Sequence, residues 1–162
     1  MAIAICLFLL ACEREAPEPY KPPALENRSA DLPRLASNAP ADQVVSTDPR
    51  ADAEYQRLVQ KARAELPDIR KRFQGGLPQN HHLFITTVVR GTDSAEQLFV
   101  SVRDWSNAEV VDGLIASQPH TPGYAAGDVI KVALADVIDW TISRPDGSEE
   151  GNALGKYLES RP

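Results

Sequence analysis

Seven apolar residues recur at helical spacing near the middle of this chain, and the segments after them alternate between apolar and polar residues. The seven form one stripe: Tyr55, Leu58, Val59, Ala62, Leu66, Ile69 and Phe73. Asp52 is placed to cap the first turn, and Gly75-Gly76 to end the helix. Because proline is strongly disfavoured inside a helix, we expect Pro67 to break it near Leu66 and to begin a second short turn.

Beyond Gly76 the period of two predicts strands. They cover residues 81–90, 96–104, 109–116, 128–134 and 140–143. A hairpin turn is expected at Gly91-Thr92-Asp93, a brief helical turn at 135–139 and a helical segment near 153–159. Short connections favour antiparallel neighbours. The predicted fold class is therefore α+β: an N-terminal amphipathic helix packed on a curled antiparallel sheet of about five strands, with a short C-terminal helix, in a globular domain of residues 51–162.

The start of the chain resembles a bacterial lipoprotein signal peptide. Residues 1–11 form an apolar, uncharged segment. This segment is too short to span a bilayer but fits a secretory leader. Leu9-Leu10-Ala11-Cys12 resembles the lipobox, which implies cleavage before Cys12 and its lipidation. Glu13 is not the Asp of an inner-membrane retention signal, so this analogy favours the outer membrane, with the protein on the periplasmic face. The alternative is an ordinary secretion signal or an N-terminal core segment.

Residues 12–50 have the composition of a disordered tether. Seven of the thirteen prolines fall in this segment, among scattered charges and few large apolar residues. Such a coil has a root-mean-square reach of about 35 Å. The alternative is that Leu32, Leu35, Val44 and Val45 pack onto the domain.

Charge and cysteine content exclude several function classes. With 17 Lys plus Arg against 23 Asp plus Glu, the net charge is −6, so the chain lacks the positive field that nucleic acids require. Cys6 falls in the predicted leader and Cys12 would carry lipid. The mature domain is then expected to hold no disulfide, catalytic thiol or Cys-based metal site. We expect no metal and no cofactor.

Several spaced segments together resemble the YegJ-like bacterial domain of unknown function, over about residues 52–155. The resemblance rests on Ala62-Arg63-Ala64-Glu65-Leu66-Pro67, Gly113-Leu114-Ile115-Ala116 with Pro119, Gly127-Asp128 and Asp136-Val137-Ile138-Asp139-Trp140. The Gly151-Asn152-Ala153-Leu154-Gly155 segment departs from the family pattern. The resemblance implies a compact domain with no established activity, so it supplies no catalytic residues.

The family-like residues each have a structural role available. Gly127 is expected to supply a positive φ, and Asp128 to bond the local backbone. Asp136 is expected to cap the short helical turn, accepting the backbone N–H near Asp139, and Trp140 to anchor the core between helix and sheet. The alternative groups Asp128, Asp136 and Asp139 as an acidic cluster for a divalent cation or for acid/base catalysis.

The long loop at residues 117–127 is the candidate binding segment. Gln118, His120 and Tyr124 are its candidate contact residues, because loops carry binding contacts more often than strands do. Ser117 and His120 suggest a nucleophile and base, without a supporting motif. His81 and His82 are adjacent on a strand, so they point to opposite faces and are poorly placed to share a metal.

These observations leave three functional hypotheses. The first is a lipid-anchored, non-catalytic module that binds a protein or envelope component through the 118–126 loop and the nearby sheet edge. The second is an envelope hydrolase that uses Asp136 and Asp139, or His120. The third is an immunity-type inhibitor whose acidic body meets a basic effector.

The lipid anchor is tested by replacing its attachment atom. We expect Cys12→Ser to move the protein out of the membrane fraction, because the remaining domain has no other predicted anchor. The measurement is cell fractionation followed by immunoblotting. An unchanged membrane pool would contradict the assignment.

Overall fold

The computed structural model describes residues 52–91 and 95–161 of the chain. Its elements are helix α1 (Ala53–Gln74), strands β1 (His82–Arg90), β2 (Ala95–Asp104), β3 (Val110–Ile115) and β4 (Val129–Ala133), a 3-10 turn (Leu134–Asp136), strands β5 (Val137–Ser143) and β6 (Glu149–Gly151), and helix α2 (Ala153–Glu159). The fold is α+β, as predicted. The leader, Cys12, the tether and the turn residues Thr92 and Asp93 lie outside the described residues.

Helix α1 begins and ends where the sequence predicts. The Asp52 carboxylate accepts the backbone N–H groups of Glu54 at 3.0 Å and Tyr55 at 3.1 Å. At the other end the Gly75 N–H donates to the Lys71 carbonyl at 3.0 Å. All seven residues of the predicted apolar stripe are buried, so the stripe faces the core.

The predicted break at Pro67 is wrong, because α1 is one helix of 22 residues that runs through it. Two arginines fasten the helix to the body on either side of the proline. Arg63 Nε donates to the Val137 carbonyl at 2.8 Å, and Arg70 Nε donates to the Trp105 carbonyl at 3.1 Å. Pro67 itself is exposed, so the helix carbonyl that loses its N–H partner can bond to water. Tertiary contacts outweigh the local cost.

The sheet has six strands in the order β4-β3-β2-β1-β5-β6, with every neighbouring pair antiparallel. This is one strand more than the sequence predicts. The extra strand, β6, has only three residues and no alternation, and its pairing begins at Ser143 opposite Glu149. Arg72 of α1 and Arg144 both bond to the Glu150 carboxylate, which holds the short strand against the body.

Strand β5 begins at Val137 rather than at the predicted Trp140, and the reason is a β-bulge. Thr86 pairs with Asp139 and Thr87 pairs with Val137, which leaves Ile138 unpaired. Both Val137 and Ile138 pack in clusters with α1 residues, so the alternation is broken there. The helical turn is correspondingly shorter than predicted and precedes the strand.

The two faces of the sheet have different surroundings. The face that carries Leu83 and Ile85 of β1 packs against α1 in the largest hydrophobic cluster, and we call it the helix face. The opposite face carries Phe84 and Thr86, and we call it the second face. The strand register places Thr141, which pairs with Phe84, and Phe99, which pairs with Thr86, on the second face as well. Leu114 also lies there, because it pairs with Ser101, and Ser101 pairs with Phe84.

Candidate functional site

A buried glutamate fixes the candidate loop at residues 117–127. Glu96, near the start of β2, is only 2% exposed. Its carboxylate accepts the backbone N–H of His120 at 2.8 Å, the backbone N–H of Thr121 at 2.8 Å and the Thr121 hydroxyl at 2.6 Å. Two consecutive amides of the loop are therefore held by one side chain.

These bonds keep Glu96 ionised despite its burial. Desolvation acts to raise the pKa of Glu96, but the bonds from Thr121 and His120 outweigh it and hold the pKa below its ordinary value. Hydrogen bonds to a charged group contribute about 1.5–3 kcal/mol each. The loop is thus anchored at its centre by a charge that would be costly to bury without these donors.

Sequence reasoning missed Glu96, although a signal was present. Glu96 lies on the same face of β2 as Leu98, Val100 and Val102, and this is the helix face of the sheet. A carboxylate at the start of an apolar series must find donors or stay outside, because burying an unpaired charge is expensive. An acidic residue at a core-facing position of a predicted strand was therefore the signal for a buried, hydrogen-bonded carboxylate.

The three predicted contact residues lie on the outside of this anchored loop. Gln118, His120 and Tyr124 are all exposed, and Tyr124 is 38% exposed. Val129, at the start of the neighbouring strand β4, is 40% exposed. Tyr124 and Val129 are the two large hydrophobic residues most exposed in the described part of the chain. The loop and the edge strand therefore form one partly apolar surface.

Ser117 does not have the geometry of a nucleophile. It is 3% exposed, and its Oγ accepts the backbone N–H of Phe99 at 3.2 Å. The hydroxyl therefore faces the sheet and secures the start of the loop, while His120 lies on the outside. This arrangement opposes the predicted Ser117–His120 pair.

Gly127 and Asp128 close the other end of the loop as predicted. Gly127 has a φ of 90°, in the left-handed region that favours glycine. Its N–H donates to the Ile115 carbonyl at 2.8 Å. The Asp128 carboxylate accepts the backbone N–H of Ala125 at 2.8 Å. Both residues shape the return of the chain into β4.

The prediction that Asp136 caps a helical turn is wrong. Asp136 is the last residue of the 3-10 turn, and the capping position belongs to Ala133, which makes no side-chain cap bond. The Asp136 side chain is exposed. Its backbone carbonyl accepts the Thr87 hydroxyl at 3.1 Å, so this bond does not involve its carboxylate.

Asp139 and Trp140 have structural roles between the sheet and the helices. The Asp139 carboxylate is 2% exposed and accepts the N–H of Leu154, in the first turn of α2, at 2.7 Å and that of Trp140 at 2.8 Å. Burial raises the pKa of Asp139 to about 6, and the nearby Glu65 acts in the same direction. Trp140 packs in the main core as predicted, and its Nε1 donates to Glu65 at 3.0 Å.

The three aspartates do not form a cluster. Asp128 precedes β4 and Asp139 lies in β5, with β3, β2 and β1 between those strands. At about 4.8 Å per strand, this separation is about 19 Å. Within residues 52–91 and 95–161, no group of three or more His, Cys, Asp or Glu side chains is arranged to hold a metal ion.

His81 and His82 line a cleft of about 300 Å³ at the end of α1, together with Phe73 and Arg103. His81 Nδ1 lies 3.1 Å from the Gln79 carbonyl. Burial, with smaller contributions from the charges of Arg103 and His81, lowers the pKa of His82. The cleft is separate from the 117–127 loop.

Comparison with known proteins gives no relative. No protein-family model, no curated protein and no solved structure matches this chain.

The burial of Asp139 predicts an unusual pH dependence of stability. Because its pKa of about 6 in the folded protein lies above the ordinary 3.8, the folded state binds the proton first. The contribution of Asp139 to stability therefore rises as pH falls through 6, by about 1.4 kcal/mol between pH 8 and pH 5, whereas the lowered pKa of His82 acts in the opposite direction. Urea denaturation across this range is the measurement.

The matched variant is Asp139→Asn, which keeps the size of the side chain and removes the titration. We expect the variant to lack this increase in the free energy of unfolding. Equal pH slopes in the variant and the wild type would show that Asp139 does not titrate in this range.

Proposed function

We propose that this chain is a lipid-anchored protein of the bacterial cell envelope whose YegJ-like domain is a non-catalytic module that binds a protein partner. The observation that carries the proposal is the Glu96 anchor, which fixes two amides of an otherwise exposed loop. The binding surface consists of Gln118, His120 and Tyr124 with the edge strand β4.

The chemistry of the described residues supports binding rather than catalysis. The candidate nucleophile Ser117 bonds to backbone, and the buried carboxylates of Glu96 and Asp139 accept backbone N–H groups. Polar groups used in this way hold loops and helices in place. They are not directed at a reacting atom in a cleft, which general acid/base catalysis requires.

The loop suits recognition because its conformation is fixed before a partner arrives. Ordering a flexible loop on binding costs about 0.5–1.5 kcal/mol for each side chain immobilised. The Glu96 bonds remove part of that cost for the residues around His120. Tyr124 and Val129 supply exposed apolar surface, and rigid tyrosines are favoured as interface anchors.

Strand β4 supports a protein partner over a small molecule. It lies at one end of the described sheet order, beside the loop. Another protein can pack on the exposed surface that the strand and the loop form together. A small ligand would instead need an enclosed pocket, and Tyr124 and Val129 are exposed on the surface.

The proposed anchor rests on the sequence of residues 1–12. Diacylation at Cys12 would hold the domain on the membrane, with the outer membrane favoured, and the Pro-rich segment would set its distance. Among the described residues, no helix has both the length and the apolar character needed to cross a bilayer.

The proposal is tested by photo-crosslinking in cells. A photoreactive phenylalanine analogue replaces Tyr124, and the matched control carries it at Lys61, on the exposed side of α1. We expect a discrete adduct with another protein at position 124 and no adduct of that mass at position 61. Adding Glu96→Ala to the position-124 chain should reduce the adduct at least about fivefold, because the loop is then no longer preorganised.

Two results would contradict the proposal. One is the absence of a position-specific adduct at 124 in chains that reach the membrane normally. The other is turnover of a p-nitrophenyl ester or phosphate by the purified protein that His120→Ala abolishes, which would favour the hydrolase.

A further inference from the structure

The second face of the sheet is buried across three neighbouring strands. Phe84 of β1 is 0% exposed, Phe99 of β2 is 4% exposed and Leu114 of β3 is 2% exposed. Thr141 of β5, which pairs with Phe84, is also 0% exposed. Side chains of neighbouring strands shield one another only in part, so large apolar side chains on a sheet face become fully buried when something packs on it.

Described elements cover the helix face and one end of the second face, where Val88 packs against the cluster that contains Val59 of α1 and Leu154 of α2. Helix α1 packs on the helix face beside residues such as Ile85 and Val100, and a smaller cluster there contains Leu98. None of the three hydrophobic clusters formed by described residues contains Phe84, Phe99 or Leu114. Among residues 52–91 and 95–161, these clusters therefore do not account for the burial of Phe84, Phe99 and Leu114.

A polar atom on the second face gives a second indication. Thr141 Oγ1 is buried and has no hydrogen-bond partner within the described part of the chain. Buried hydroxyls are bonded in the great majority of cases, because an unpaired one costs free energy. A segment lying across Phe84 and Thr141 would supply both the apolar contact and the missing partner.

The chain enters the described structure close to this face. Asp52 caps α1, and three residues later Tyr55 approaches the Gln97 side chain. Gln97 pairs with Val88. Both lie on the second face, because Gln97 is two residues before Phe99 and Val88 is four residues after Phe84. The seven residues from Val45 to Asp52 can span up to about 24 Å, which exceeds the width of four strands.

We propose that the segment 32–45 of this chain docks on the second face, with Leu32, Leu35, Val44 and Val45 against Phe84, Phe99 and Leu114. These four apolar residues fall within 14 positions of an otherwise polar, proline-containing segment. Prolines favour an extended backbone, which can lie across strands without folding on itself. The occupant is thus the protein's own N-terminal segment.

Docking changes how far the domain stands from its anchor. A free tether from Cys12 to Asp52 has a root-mean-square reach of about 35 Å, whereas the residues from Cys12 to Asp31 alone reach about 25 Å. This consequence rests on the proposed anchor. The docking itself does not, since it depends only on the second face and on residues 32–45.

The first test locates the occupant directly. The photoreactive phenylalanine analogue replaces His82, an exposed residue two positions before Phe84 on the same face of β1, in the full-length chain purified in detergent. We expect an intramolecular crosslink to residues 32–45 whose yield does not change on dilution. Position 61 is the matched control and should give no such crosslink.

The second test measures the cover. Leu32, Leu35, Val44 and Val45 are changed to Ser in the full-length chain, and hydroxyl-radical oxidation of Phe99 is read by mass spectrometry. We expect Phe99 oxidation to rise at least about fivefold while Phe73, on the helix face, stays protected, because only the second face loses its apolar cover. Leu25→Ser is the matched control and should change neither residue.

A crosslink from position 82 to a second copy, to residues 1–11 or to no part of the chain would overturn the proposal. So would unchanged oxidation of Phe99 in the fourfold variant. If the fourfold variant unfolds, Phe73 is oxidised as well, and the crosslink in the otherwise unaltered chain then decides. Loss of the Tyr124 adduct with an intact position-82 crosslink would refute the partner-binding function and leave docking in place.

Discussion

The six-stranded sheet carries buried apolar side chains on both faces, so both faces need cover, and this constraint organises the whole domain. The apolar stripe of α1 packs on one face. The helix can extend along this face because it is continuous through Pro67. Where α1 does not reach, the end of that face meets the 117–127 loop through Glu96. The proposed docking of residues 32–45 answers the same requirement on the second face.

The Glu96 carboxylate connects this architecture with the proposed function. Its side chain is buried in register with core residues, yet it remains charged because three donors from the loop surround it. One interaction therefore satisfies a buried acid and orders the loop that presents Tyr124. Asp139 shows the opposite balance, since its two backbone donors do not compensate for burial and its pKa rises to about 6.

Periodicity and capping residues predicted the elements closely, while features set by distant contacts escaped prediction. Asp52, Gly75 and Gly127 act locally, so their roles could be inferred from neighbouring residues. The start of β5 was predicted three residues too late, because the bulge at Ile138 places consecutive apolar residues where a strand normally alternates. The continuity of α1 at Pro67 depends on arginine bonds to residues far along the chain.

The central claim is that the loop is rigid before it meets a partner, and amide hydrogen exchange measures this directly. The account predicts that the amides of His120 and Thr121, which donate to Glu96, exchange at least about tenfold more slowly than the amide of Gly123 in the same loop. Exchange of all three amides at the rate of an unstructured peptide would contradict it.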